Sequence, residues 1–173
     1  MVSISVIGFS QQYSRHDNNT HIDKGFETKI NLGYGFGMGE YKNNLFMMNI
    51  VAGYRFSPFY SMGIGTSLAL YVTDNLTQVP IFLNMQINFS KTAVSPYISL
   101  DAGYTYGLNA DNEKGGVGAY IAPNAGLNIR LSNSIALNLS IGYRTQFMRI
   151  RHYSTNYKDI KLNSYTFNVG LIF

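Results

Sequence analysis

From residue 26 onward, apolar and polar side chains alternate with a period of two, the spacing of a strand with one apolar face. Residues 26–38 set Phe26, Thr28, Ile30, Leu32, Tyr34, Phe36 and Met38 against Glu27, Lys29, Asn31 and three glycines. In 46–56, Phe46, Met48, Ile50, Ala52, Tyr54 and Phe56 oppose Asn49, Gly53 and Arg55. In 79–89, Val79, Ile81, Leu83, Met85, Ile87 and Phe89 oppose Asn84, Gln86 and Asn88. The same alternation runs through 60–72, 98–106, 117–131, 135–147 and 165–173. The pattern predicts eight strands, most of them about 10 or more residues long, enough when tilted to cross about 25 Å of hydrocarbon.

The connections alternate as well. Ser57-Pro58, Lys91 to Ser95 and Ser132 to Ser134 read as short turns, whereas 39–44, 74–78, 109–116 and 152–161 are mostly longer and more polar. An even number of antiparallel strands brings both ends of the sheet to the short-turn side, and the sheet is predicted to close as an up-and-down barrel. Pro80 and Pro123 fall inside strands, where each removes a ladder hydrogen bond; they predict either local bulges or strand limits.

Composition decides which face meets what. Of 173 residues, 46% are hydrophobic and 13% charged, the latter about half the share usual in soluble domains. Fourteen Tyr and eleven Phe, without Trp, exclude a disordered chain. The absence of Cys excludes a disulfide scaffold, a cysteine zinc site and a thiol nucleophile. A net charge of +4 is too mild to argue for nucleic acid. The charge-free run from Phe56 to Thr73 is broken by Pro58, Gly63 and Gly65, so it does not read as a spanning helix of about 20 apolar residues. A barrel with its apolar face on lipid reconciles few charges, many aromatics and no apolar helix. An inward apolar face would crowd a lumen that eight strands leave barely wide enough for side chains. The aromatics gather toward the strand ends as two girdles: Tyr54, Phe56, Phe59, Tyr60, Phe89, Tyr97 and Phe173 at the short-turn rim, and Tyr34, Phe36, Phe46, Tyr71, Tyr104, Tyr106 and Phe147 at the other.

Residues 1–12 read as the tail of a secretory signal peptide, apolar from Val2 to Phe9; residues 13–25 as a polar periplasmic leader; and residues 26–173 as the barrel. A short buried strand or plug segment is the alternative for the first stretch.

Six charges are predicted inside the lumen: Glu27, Lys29, Arg55, Asp101, Arg130 and Arg144. Unpaired, each is costly in a low dielectric, so they are expected to form a network with the Asn and Gln side chains. Asn84 is read as a tolerant member of that filling. The last connection is basic, with Arg149, Arg151, Lys158 and Lys161 facing Asp159, a composition suited to lipopolysaccharide phosphates or to a solvated loop tip. His16 and His21 lie in the polar leader and predict no metal site; no cofactor is expected.

The Gly-Tyr pairs Gly33-Tyr34, Gly53-Tyr54, Gly103-Tyr104 and Gly142-Tyr143, with the closing stretch Tyr165 to Phe173, resemble the small eight-stranded outer-membrane barrels, in particular the porin-family barrels of Bacteroidetes-type bacteria. That resemblance implies a Gram-negative outer membrane, periplasmic termini, outer-membrane lipid and lipopolysaccharide as surroundings, and a terminal Phe173 read by the outer-membrane insertion machinery. It implies no nucleic-acid partner, and a monomer is expected. The expected role is structural or surface-interacting with a side-chain-filled lumen; a narrow passive channel is the alternative. A third reading is an esterase. His152 and Ser154 are similar to the His-x-Ser pair of the lipid A deacylase barrels, but where those carry a Glu this chain has Asn163, and Asn cannot hold an imidazolium as a carboxylate does; Asp159 substitutes only if the loop folds back. The alternation also turns the pair into the barrel mouth unless a bulge near Arg149 to Arg151 shifts the register. No esterase activity is expected.

Overall fold

The computed structural model describes residues 24–39, 43–72, 77–108, 118–151 and 157–173, with side chains at all of these except 148–151 and 157–160. Eight antiparallel strands follow one another around a closed barrel: β1 (Gly25–Met38), β2 (Leu45–Ser57), β3 (Tyr60–Tyr71), β4 (Thr77–Asn88), β5 (Val94–Gly107), β6 (Gly118–Arg130), β7 (Ala136–Arg151) and β8 (Tyr157–Ile172). Closure is made by β1 against β8, from Lys29 opposite Ile172 to Met38 opposite Asn163, and it leaves no sheet edge. Thr28 and Phe173 exchange backbone hydrogen bonds of 3.0 and 2.9 Å at the seam. No helix among the described residues is long and apolar enough to cross a membrane.

The alternation becomes two surfaces. On β4, Ile81, Leu83 and Ile87 are exposed while Phe82, Asn84, Gln86 and Asn88 are buried. The outward apolar face has its two aromatic girdles. Phe26, Tyr54, Phe56 and Tyr60 form a chain of ring contacts, with centroids 5.1 to 5.8 Å apart, at the short-turn rim. At the opposite rim Tyr34 touches Phe36 and Phe46, with centroids 4.8 and 4.9 Å away. Two members assigned to these girdles are not in them. Tyr71 and Tyr97 are buried, 5% and 4% exposed, because both sit at inward positions of the alternation.

The short-turn end is built by hydroxyl caps. Ser57 Oγ accepts the amides of Phe59 and Tyr60, and Ser132 Oγ accepts those of Ser134 and Ile135, so short polar side chains satisfy the donors that the ladder abandons. β5 starts at Val94, inside the segment read as a turn. At the other end, β7 and β8 stay paired as far as Arg151 opposite Tyr157, so only 152–156 connect them. The second half of the long basic loop expected over 152–161, residues 157–161, is therefore strand. The excess length of that side lies chiefly in the β5–β6 connection.

Neither proline makes a bulge. The registers of β3–β4 and β6–β7 are the same on both sides of Pro80 and Pro123; pairing lapses beside each proline and resumes unshifted. The missing N–H removes a rung without adding a residue. Thr66 Oγ1 donates to the Pro80 carbonyl at 3.0 Å, tying the β3–β4 seam beside the lapse. The bulge considered near Arg149 to Arg151 is also absent, since β7 and β8 keep one register from Ala136–Ile172 to Arg151–Tyr157.

Candidate functional site: a side-chain-filled lumen

The inward positions of all eight strands meet in a lumen with distinct levels. Toward the short-turn end, Glu27 from β1 lies between two cations. Its carboxylate is 3.1 Å from Lys29 Nζ on the same strand and 2.6 Å from Arg55 Nη2 on β2, with a further bond of 3.0 Å from Arg55 Nε. All three side chains are at least nine-tenths buried. Register explains the meeting: Glu27 pairs with Gly53, two residues from Arg55 on the same inward face of β2.

Lys29 then reaches across the barrel to β4, donating to Asn84 Oδ1 at 3.0 Å and to Gln86 Oε1 at 2.7 Å. Asn84 Nδ2 donates in turn to Asp101 Oδ1 on β5 at 2.5 Å, and Asn124 Nδ2 approaches Asp101 Oδ2 at 3.4 Å. Asn84 is thus a bridge between a cation and a carboxylate rather than tolerant filling. Its neighbours continue the relay: Gln86 donates to Asn88, Asn128 donates to Asn88, Asn138 donates to Asn128, and Asn138 and Tyr97 share a bond of 2.8 Å. A belt of amides therefore runs from β4 through β6 and β7 to Tyr97 on β5. No single strand's sequence shows this belt, because each contributes one or a few members.

Arg144 on β7 stands apart. It is 2% exposed, its guanidinium carbon lies 4.8 Å from the Tyr120 ring centroid, and it donates to Met47 Sδ at 3.0 Å and Gln146 Oε1 at 3.1 Å. Gln146 Oε1 also accepts from the Tyr71 hydroxyl at 3.3 Å. Among the described residues, no carboxylate lies within ion-pair distance of Arg144. Arg130 is half-buried at the short-turn mouth, where it lines a small cavity with Arg55, Asn88 and Asn128.

The lumen is not wholly polar. Val51, Phe82, Tyr120 and Ala122 form one apolar cluster, and Leu45, Met47, Ala69 and Tyr71 another. A glycine on the neighbouring strand, directly across the ladder, makes space for the Phe82 ring. A Cβ at Gly65 would stand 2.5 Å from Phe82 Cε2 and 2.6 Å from Cζ, so the aromatic fills the volume that glycine vacates. The free space is small: one cavity of about 40 Å³ walled by Lys29, Asp101, Asn124, Arg144 and their neighbours, and one of about 20 Å³ at the short-turn mouth. At about 10–15 Å³ per water, the larger holds roughly three.

The basic candidates on β7 and β8 fall toward the other rim. Arg149 is register partner to Asp159, Ile150 to Lys158, and Arg151 to Tyr157. Lys161 is exposed, its Nζ 5.6 Å from the Phe147 ring centroid. His152, Ser154, His16 and His21 lie outside the described residues. Asn163, which takes the place of the deacylase carboxylate, accepts a bond of 3.2 Å from Thr145 Oγ1, its partner in the β7–β8 register.

No protein-family model matches the sequence, and no curated protein matches it. Solved structures do. Neisserial surface protein A superposes with a TM-score of 0.65 at 13% identity, covering 86% of this chain and 96% of that one. OprG, an outer membrane protein from Pseudomonas aeruginosa, gives 0.58 at 12% identity, over 90% and 98%. The outer membrane enzyme PagL gives 0.55 at 8% identity, over 82% and 97%. The chain has the fold of the small eight-stranded outer-membrane β-barrels.

Proposed function

We propose that this protein is a non-conducting barrel of a Gram-negative outer membrane, with a structural or surface-interacting role and both termini in the periplasm. The observation that carries this reading is the filled lumen: three buried cations, two carboxylates and a belt of amides cross the bore, and the spaces left hold only a few waters. A conducting path would need that bonded network to part, which costs several kcal/mol for a buried ion pair. The repeated Gly-Tyr pairs and the final aromatic strand support a Bacteroidetes-type porin-family origin and insertion by the outer-membrane machinery, and the apolar stretch from Val2 to Phe9 supports a signal-peptide tail over residues 1–12. The basic positions Arg149, Arg151, Lys158 and Lys161, at the rim away from the short turns, suit contact with lipopolysaccharide phosphates. The sequence favours a protein without esterase activity, since the deacylase carboxylate position carries Asn163.

Planar-bilayer recording of the purified, folded protein tests the reading. Silence or brief flickers are expected. A steady porin-sized current that falls in Arg144→Ala would replace it with the channel reading. Mass spectrometry of lipid A from expressing cells tests the last point: loss of an acyl chain that depends on Ser154 would make the protein an esterase.

A further inference from the structure

The charges inside the barrel do not balance. Lys29, Arg55 and Arg144 are all at least nine-tenths buried, and only Glu27 and Asp101 oppose them. Glu27 is engaged by both Lys29 and Arg55. The two oxygens of Asp101 face the amides of Asn84 and Asn124. Arg144 is left with a thioether, an amide oxygen and an aromatic face, all of them neutral, and its Nε has no hydrogen-bond partner. Leaving a buried guanidinium without an anion in contact is costly, and a neutral water cannot offset the charge.

Arg144 lines the cavity of about 40 Å³. The same walls carry Asn31, Asn49, Ser140 and Asn168, short polar groups able to donate hydrogen bonds. Asn31 Oδ1 and Asn168 Oδ1 lack partners, and an amide rotated by half a turn presents its NH2 in that direction instead. The other charged groups on the wall are Lys29 and Asp101; the one carboxylate acts on both Lys29 and Arg144, so the cavity has a surplus of one positive charge. Its size, room for roughly three waters, admits a small inorganic ion and excludes a sugar acid or a nucleotide.

We propose that the lumen holds a small inorganic monoanion, of halide size, against the Arg144 guanidinium, with the cavity amides completing its shell. The site neutralises the buried cation and ties β7 to the opposite wall. It is independent of whether the protein has a surface-interacting role.

The test uses the full chain folded in zwitterionic detergent. Thermal unfolding is followed in sodium chloride, in sodium bromide and in sodium gluconate at matched ionic strength. A bound halide should raise the midpoint by roughly 3–5 °C per tenfold increase above its dissociation constant, whereas gluconate, too large to enter, should not. Arg144→Met should abolish the halide dependence, and Arg130→Met should keep it. A midpoint set by ionic strength alone, or a halide dependence unchanged in Arg144→Met, overturns the proposal. Should Arg144→Met fail to fold, crystals of the unaltered protein grown in bromide decide. An anomalous peak beside Arg144 Nε supports the site, and no peak there overturns it.

Discussion

Leu83 and Leu70 offer a controlled test of how the barrel sits in lipid. Both are leucines on the outer face and both are 45% exposed, so substitution removes similar contacts from each. They differ in depth. Leu83 is at the middle of β4, paired with Ile64 and Ala102. Leu70 is paired with Phe46 and Thr77 near the loop end of β3. An arginine facing lipid at the midplane costs about 2–4 kcal/mol, and near the interface about 0–1 kcal/mol, because the side chain there reaches the headgroups. The difference of about 2–3 kcal/mol corresponds to roughly a 30- to 150-fold change in the folding constant. Urea titration of folding into lipid vesicles, with band shift on unboiled gels as the readout, measures it. Leu83→Arg should lose that much more than Leu70→Arg. Equal losses at both depths would mean that the apolar face does not span a bilayer.

Other substitutions probe the interior by the same titration. Glu27→Gln leaves Lys29 and Arg55 without their carboxylate and should cost about 3–5 kcal/mol, while the paired change Glu27→Gln with Arg55→Met should recover part of it. Asn84→Ser breaks the bridge from Lys29 to Asp101 and should cost about 1–3 kcal/mol; a change under a few tenths would mean the bridge contributes nothing. Gly65→Ala drives a methyl into the Phe82 ring, so about 1–3 kcal/mol should be lost. Combined with Phe82→Leu, the loss should shrink, and strict additivity of the two changes would refute the packing argument.

The alternation of single residues determined the fold, because a strand pair in lipid must be apolar on one face and must satisfy every backbone group by closing on itself. The same alternation already pointed Tyr71 and Tyr97 inward. Grouping the aromatics by their distance from strand ends misplaced them, since the girdle signal is a property of outward positions only. The inner charges were legible as a set, because Glu27, Lys29, Arg55, Asp101 and Arg144 all occupy the polar phase of their strands.

Their partners were not legible. Lys29 is 55 residues from Asn84, and Arg144 is 97 from Met47; each meeting depends on how far every strand is staggered around the closed sheet. Hydrophobic pattern constrains that stagger only to steps that keep the same face inward. The end of the β7–β8 ladder escaped as well, because charged residues from Arg149 to Lys161 look like loop until one strand is seen to pair with the other beyond the apolar band. Sequence therefore determined which side of the wall each residue occupies. Closure of the barrel decided which residues share a level of the lumen, and so which cation found a carboxylate and which, at Arg144, did not.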